Sequence, residues 1–543
     1  MASASGSEAP YNAGTTTNMQ GNLMLLLCSS DEYRAVYERV VQKLPPSARQ
    51  RIYSPATFKS IVQSKDRHTA AAFRASIRSF ILTASGLKLV NVVLKLLGRP
   101  VSGPIFTDDE TISRAGTQER FYKSPQFRLP LSLSLIILFH RLSYRFLLRL
   151  RASLRTEDAR PFRERNPRVA KILTSKYAPA IGGSLAGFLL GLYPQSQLRL
   201  TAAIYAASRA LESVYNTLVE EGHIKNRPWW FGSWLLMPLS MAQLFHAFIF
   251  DREATPKWFG DFILKFTPEY IQQRPSGFPL GSNWPEPHVT VDALAKIAEL
   301  RWPPFTSPIL HPNMPCTLPA SIQSISPITS PAHPATASLS CALLHPKSPS
   351  CLTAFLHQML LSLPPLTRTL TKVFLALSLF NVKSLIFRPI TFTNVLCRKI
   401  LAATAVFCSS IGAAWGSVCL FNTALPRSLL ATKRFYLSGA LAGLPFALLN
   451  GASHRSHFLY IFRQAVESGW KVGVKRGFWR GYRGGDLCVL VASWALMGVL
   501  LERRPAAVGD ATLRKGLGWM KGDGYADPVE VRTKKKGKKA ATQ

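Results

Sequence analysis

The stretch GSLAGFLLG, from Gly183 to Gly191, constrains this chain more than any other. It lies inside a run without formal charge from Tyr177 to Leu198, with Gly183, Gly187 and Gly191 one helical turn apart. Small residues at that spacing cut a groove into one helix face, where a second helix backbone can approach closely inside a bilayer. A related stretch, GALAGLPFA, occupies Gly439 to Ala447 and repeats the pair as Gly439 and Gly443. The echo continues in order. Tyr205, Ala210, Glu212 and Ser213 return as Tyr460, Ala465, Glu467 and Ser468, then Ser233 and Trp234 as Ser493 and Trp494. Ordered identities at a slowly drifting offset are what a tandem duplication leaves behind. The fold expected is therefore all-α, a multi-pass helical membrane protein built from two repeated halves.

Composition narrows the class. The chain is 47% hydrophobic, yet its 66 Lys and Arg outnumber 29 Asp and Glu. Strongly basic proteins meet nucleic acid or an anionic membrane surface, and the long apolar runs decide for the membrane. Eight cysteines are scattered without a CxxC pair, which excludes a secreted disulfide scaffold. The apolar patch Leu23 to Cys28 is too short for the h-region of a cleaved signal, so targeting is expected to be internal.

Along the chain, residues 1–65 read as a polar tail followed by a soluble or interfacial helix. Residues 66–255 form a first membrane half. In it, Phe73 to Leu97 carries Arg74, Arg78, Lys88 and Lys95 and suits the interface. Leu129 to His140 is apolar but only 12 residues long, short of the roughly 20 that a spanning helix needs. The basic loop that follows, to Lys176, should face the cytosol. Tyr177 to Leu198 and Trp229 to Phe250 read as spans, separated by a helix bearing Arg209 and Glu212. Residues 256–344 are rich in Pro and Ser, as in SPITSPAHPATASLS, and read as a linker because proline at that density continues neither helix nor sheet. The second half, 345–503, opens with a helix interrupted by Pro364 and Pro365. It continues through Ile400 to Phe421, Phe435 to Ser453 and Leu487 to Leu501. Residues 504–543, ending in KKKGKK, read as a disordered basic tail.

Chemistry is sparse, and each motif has a plain structural reading. The ladders Gly183, Gly187 and Gly191, Gly412 and Gly416, and Gly439 and Gly443 are read as helix-packing faces, with a lateral groove or pore as the alternative. Arg209 with Glu212 and Arg463 with Glu467 are read as helix-surface pairs, against the alternative of a polar path through the membrane. The turn KVGVKRGFWRGYR presents Lys475, Arg476, Trp479, Arg480 and Arg483. Beside spanning helices these suit anionic lipid headgroups and an aromatic belt, rather than nucleic acid. His311, Cys316, His333, Cys341, His345 and Cys351 match no zinc spacing and are read as side chains of a flexible segment, so no metal is expected. No nucleophile, metalloprotease, phosphate-loop or dinucleotide fingerprint stands in a convincing context, so neither catalysis nor a cofactor is expected.

The series YAPAIGGSLAGFLLGLYP, IYAASRALESVYN and the span to Phe250, with SPITSPAHP and LLHPKSPSC opening a second half, resembles the transmembrane protein 135 family in its fungal form. The resemblance covers roughly Phe73 to Arg503 and is carried most by Ser208 to Glu212. The glycine-bearing spans are also similar to helices of mitochondrial import translocases and peroxisomal membrane proteins. The resemblance implies a non-enzymatic, multi-pass membrane protein of mitochondria, peroxisomes or both, tied to organelle dynamics and lipid homeostasis. Its expected partners are anionic lipids and organelle-fission or membrane proteins, with a homo-oligomer left open. The alternative is a carrier or channel for a lipid or small metabolite.

Overall fold

The computed structural model describes residues 30–39, 67–96, 124–268, 284–311 and 318–530, apart from isolated positions at 195, 226–227, 229, 380–381, 450, 452–453, 523 and 525; a few further residues between 42 and 56 are also described. Helix accounts for 79% of the structure, and the described residues contain no strand beyond one isolated antiparallel bridge, Pro304 with Ser338, so the chain is all-α. Five helices are long and apolar enough to cross a membrane: His68–Val93, Pro125–Ser153, Ser233–Phe250, Pro389–Ala424 and Gly485–Arg503.

The principal helices are α1 (Arg67–Leu96), α2 (Pro125–Ser153), α3 (Ala178–Ser184), α4 (Ser196–Glu220), α5 (Leu236–Phe250) and α6 (Pro287–Glu299). They continue with α7 (Leu339–Leu344), α8 (Cys351–Ser378), α9 (Pro389–Ala424), α10 (Arg434–Gly443), α11 (Arg455–Lys475), α12 (Gly485–Arg503) and α13 (Ala511–Lys521). The chain divides into two compact units: residues 1–225 with 482–543, and residues 226–481. This division cuts across the expected halves, because the span Ser233–Phe250 falls in the second unit and Gly485–Arg503 in the first.

In the first unit α1 packs on α2, α2 on α3, and both α3 and α4 on α12. The face of α2 that is buried carries Leu129, Ser132, Ile136, Ile137 and His140, the three-and-four spacing of a helix stripe. The helix continues to Ser153, so the short apolar segment read from sequence is the start of a 29-residue helix. Small residues Ala72, Ala75 and Ser76 bring α1 onto it, and Ser76 Oγ donates to the Ser134 carbonyl at 2.9 Å. The remainder of α1 leaves Leu82, Leu89 and Leu96 exposed, an apolar surface that suits lipid. Although α1 was expected to lie in the interface, it ranks among the five helices able to cross, and Arg78 is engaged by Glu32 at 2.6 Å.

The expected span Tyr177 to Leu198 is shorter than its charge-free run. It is α-helical over Ala178–Ser184, tightens to a 3₁₀ helix over Leu185–Leu192, and stops where Tyr193 turns extended before Pro194. The 3₁₀ rise of about 2 Å per residue, against 1.5 Å in an α-helix, stretches these residues to roughly 26 Å. The second glycine-bearing segment does the same, α10 running into a 3₁₀ helix over Leu444–Leu449.

In the second unit α8 packs on α9, α9 on α10, and both α10 and α11 on α5. Much of the expected linker is folded here. On α6, Val291, Leu294, Ile297 and Ala298 are fully buried, as are Ile322, Ile325, Ile328 and Leu343 farther on. These side chains join Leu244, Phe245, Phe248 and Phe435 in one core. Burying each of the Val, Leu, Ile and Phe side chains among them is worth about 1.5–3 kcal/mol, which holds proline-rich turns that have little helix of their own. Residues 269–283 and 312–317 of that segment lie outside the described residues. Pro364 and Pro365 sit within a continuous α8 rather than ending it, and Thr367 Oγ1 and Thr369 Oγ1 back-bond to the Leu363 and Pro365 carbonyls.

The expected disordered tail also contains a helix. α13 is capped by Asp510, whose carboxylate accepts from the Thr512 and Leu513 amides, and it packs on α2. Arg141 donates to the Trp519 carbonyl at 2.6 Å and lies over its ring. Lys534 to Lys539 lie outside the described residues.

The glycine ladders differ in how closely they are gripped. A Cβ at Gly439 would lie 2.3 Å from the Met241 carbonyl oxygen, and one at Gly443 2.4 Å from Pro238 Cα, both backbone atoms of α5. At Gly191 the nearest atom is the Leu487 side-chain tip at 2.9 Å, which can move. Gly443→Ala should therefore lower stability by more than about 1–3 kcal/mol, the usual cost of overpacking, because a backbone cannot yield as a rotamer does. Gly191→Ala should cost less than about 1 kcal/mol. Thermal unfolding of the purified variants in detergent checks both, and equal losses would remove the distinction.

Candidate functional site

Four of the sequence-predicted glycines line packing seams rather than an open groove. Gly187 faces Val491 and Trp494, Gly183 faces the His140 ring, and Gly412 and Gly416 receive the Phe355 ring at 2.9 and 2.7 Å from where a Cβ would stand. The phenyl ring of Phe355 fits the notch that the missing side chains leave on α9.

The acidic and basic residues considered for a polar path are engaged. Arg209 Nη1 donates to Glu212 at 2.9 Å one turn on, its Nη2 reaches Asp510 at 3.8 Å, and its guanidinium lies over Tyr205. Both side chains of the closer pair are mostly buried. In the other unit Arg463 stands one turn before Glu467, and Glu467 pairs with Lys471 at 3.1 Å. These contacts tie charges to neighbours on the same element or on the capping segment.

The basic turn divides in the same way. Asp251 ends α5, is only 6% exposed, and binds Arg476 at 2.6 Å and Lys475 at 3.7 Å, while Glu253 takes Lys475 at 3.3 Å. Lys475 and Arg476, read from sequence as lipid contacts, are thus committed to carboxylates of the same unit. Trp479 stacks on Trp470 with ring centroids 6.0 Å apart, and Gly473 makes room for it, since a Cβ there would lie 1.9 Å from the indole. Arg480 and Arg483 are exposed and keep the headgroup-facing role open to them.

A cluster that its spacing gave no reason to expect is brought together in the second unit. Cys341 on α7, His345 at its end, Cys351 at the start of α8 and Cys419 on α9 place their ligand atoms within 4.8 Å of one another. The Cys341 sulfur lies 3.7 Å from that of Cys351 and 3.8 Å from that of Cys419, whose own sulfur is 3.6 Å from His345 Nε2. His345 Nδ1 is 2.9 Å from the Ser348 carbonyl. His345, Cys351 and Cys419 also line a cavity of about 270 Å³ shared with Phe355, Met359, Gly412 and Trp415.

Of the six linker residues considered from sequence, three belong to the cluster. His333 accepts from the Ala335 amide through its own ring and is exposed, His311 is exposed, and Cys316 lies outside the described residues. Sequence reasoning missed Cys419, which sits in a span far from the others. The local signal was the compact order Cys341, His345, Cys351.

Removing the carboxylate of Asp251 leaves a half-buried guanidinium without its partner. Asp251→Asn and Arg476→Met should each destabilise the protein by about 1–3 kcal/mol, and the double variant by less than their sum, with about 1 kcal/mol or more of coupling. A double-mutant cycle from thermal or denaturant unfolding measures it, and additive losses would dismiss the pair as a structural tie. Comparison with protein-family models, with curated proteins and with solved structures returned no match, so the functional reading rests on the chain's own sequence and geometry.

Proposed function

We propose that the chain is a multi-pass organelle membrane protein made of two copies of a five-helix unit that have exchanged their last helices, acting as a non-enzymatic factor in mitochondrial or peroxisomal dynamics and lipid homeostasis. The observation that carries the duplicated architecture is the order of packing. The series α1, α2, α3 closes on α12 with α4 alongside, and the series α8, α9, α10 closes on α5 with α11 alongside. In each series a glycine-bearing α-to-3₁₀ segment grips the Trp-bearing helix that the sequence repeat assigns to the other copy. Two unrelated halves would have no reason to repeat the order, the 3₁₀ switch and the exchange together.

The organelle and lipid assignments are supported by the resemblance of Ser208 to Glu212 and its flanks to the transmembrane protein 135 family, and by the net charge of +37, which favours an anionic bilayer. The carrier reading is less well supported. A route through Arg209, Glu212, Arg463 and Glu467 needs groups free to meet a solute, whereas Arg209 is held by Glu212 and Glu467 by Lys471.

Three measurements test the proposal on the full chain. A tagged copy should remain in the membrane pellet after alkaline carbonate extraction and coincide with mitochondrial or peroxisomal markers. Its deletion should alter organelle shape, while the purified protein in liposomes moves neither lipid nor small solutes. A plasma-membrane signal would remove the organelle assignment. A flux abolished by Glu212→Gln with Glu467→Gln would replace the factor with a carrier.

A further inference from the structure

We propose that Cys341, His345, Cys351 and Cys419 bind one zinc ion in a closed tetrahedral site that fastens the proline-rich segment of the second unit to α9. The residues come from three separate elements, yet their four ligand atoms enclose a single point, all within 4.8 Å of one another. A tetrahedral ion with bonds of about 2.3 Å to sulfur and 2.0–2.1 Å to nitrogen requires sulfur pairs about 3.8 Å apart and a sulfur to nitrogen edge of about 3.6 Å. Two of the three sulfur pairs, Cys341 with Cys351 and Cys341 with Cys419, are 3.7 and 3.8 Å apart, the edge from Cys419 to His345 Nε2 is 3.6 Å, and the remaining edges stay within 4.8 Å.

A disulfide does not account for the cluster, because it needs sulfurs about 2.05 Å apart, and all three thiols are free. Thiols are weak hydrogen-bond donors and acceptors, so packing three of them round an imidazole gains little without an ion. The imidazole is already oriented as a ligand: Nδ1–H donates to the Ser348 carbonyl, leaving the Nε2 lone pair toward the Cys419 sulfur. Soft thiolates with one imidazole select zinc over magnesium or calcium, which take oxygen ligands. Four atoms drawn this tightly round one point also leave no room for two irons. With four protein ligands no position stays open for water, so the site is structural rather than catalytic. The thiols bind as thiolates and release their protons to solvent, and the adjoining cavity supplies a path for the ion.

The test uses the full-length chain purified in detergent and passed through a weak chelator. Elemental analysis should find about one zinc per chain, and cobalt exchanged into the site should show thiolate charge-transfer bands with the intense visible bands of tetrahedral geometry. Cys419→Ser and His345→Ala should bring zinc below about 0.2 equivalents, whereas His345→Cys, which preserves four ligands, and Cys397→Ser, outside the cluster on the same helix, should keep it. The cobalt spectrum of the unmutated chain decides the matter even if a variant fails to fold. Absence of zinc from the unmutated chain, iron in its place, or full retention by Cys419→Ser would each overturn the proposal.

Discussion

The approach of α10 to α5 at Gly439 and Gly443 governs the second unit. Two helix backbones meet where a single added carbon would overlap the Met241 carbonyl and the Pro238 main chain. Inside a bilayer, apolar side chains gain nothing by leaving lipid for one another, so association depends on close van der Waals packing. Once α5 is drawn in this far, Phe245 and Phe250 reach Phe435, and Phe245 meets Trp415 edge-on at 5.6 Å. Those rings then anchor the buried residues of α6 and α7, which have no long helix of their own. The first unit uses a looser version, in which Gly187 and Gly191 meet side chains of α12 instead of its backbone.

Charge is arranged around that packing. Where α5 ends, Asp251 collects Arg476 and Lys475 from the end of α11, so α5 and the α11 packed on it are fastened at one end by charge-assisted bonds. In the first unit Glu221, at the end of α4, takes Arg503 from the end of α12 at 2.7 Å. Arg199 and Asp486 join the opposite ends of the same helices at 2.9 Å. Carboxylates are scarce in this chain, and several of them are committed to such joints.

The sequence made the all-helical class, the glycine faces and the Trp-bearing helices legible, because helix periodicity and small-residue spacing are local signals. The partners of those faces were not legible. Gly443 meets Pro238, and Gly187 meets Val491, across separations that no local pattern encodes. The Pro and Ser stretch misled because composition dominates such a segment, while its order is carried by a few residues, Ile322, Ile325 and Ile328, each fully buried. Lys475 and Arg476 looked available for lipid because Asp251 lies far back in the chain. Cys419 looked like an ordinary small residue of a span, and only the fold sets it beside Cys341.

The Cys and His cluster stands where the proline-rich segment meets α8 and α9. The segment between α5 and α8 is folded against the second unit's core. Helices as short as α7 are marginal alone, since the first turn costs more order than its hydrogen bonds return. Apolar burial holds α7 from one side through Leu339 and Leu343. From the other, Asn422 donates to the Ser338 hydroxyl and the His333 amide to the Pro346 carbonyl, each a single hydrogen bond of modest net value. An ion joining Cys341, His345 and Cys351 to Cys419 would close a loop of nearly eighty residues, and constraining a loop of that length removes several kcal/mol of chain entropy from the unfolded state. A short helix in a proline-rich segment, packed against a membrane-length helix, is where such a constraint has the largest effect.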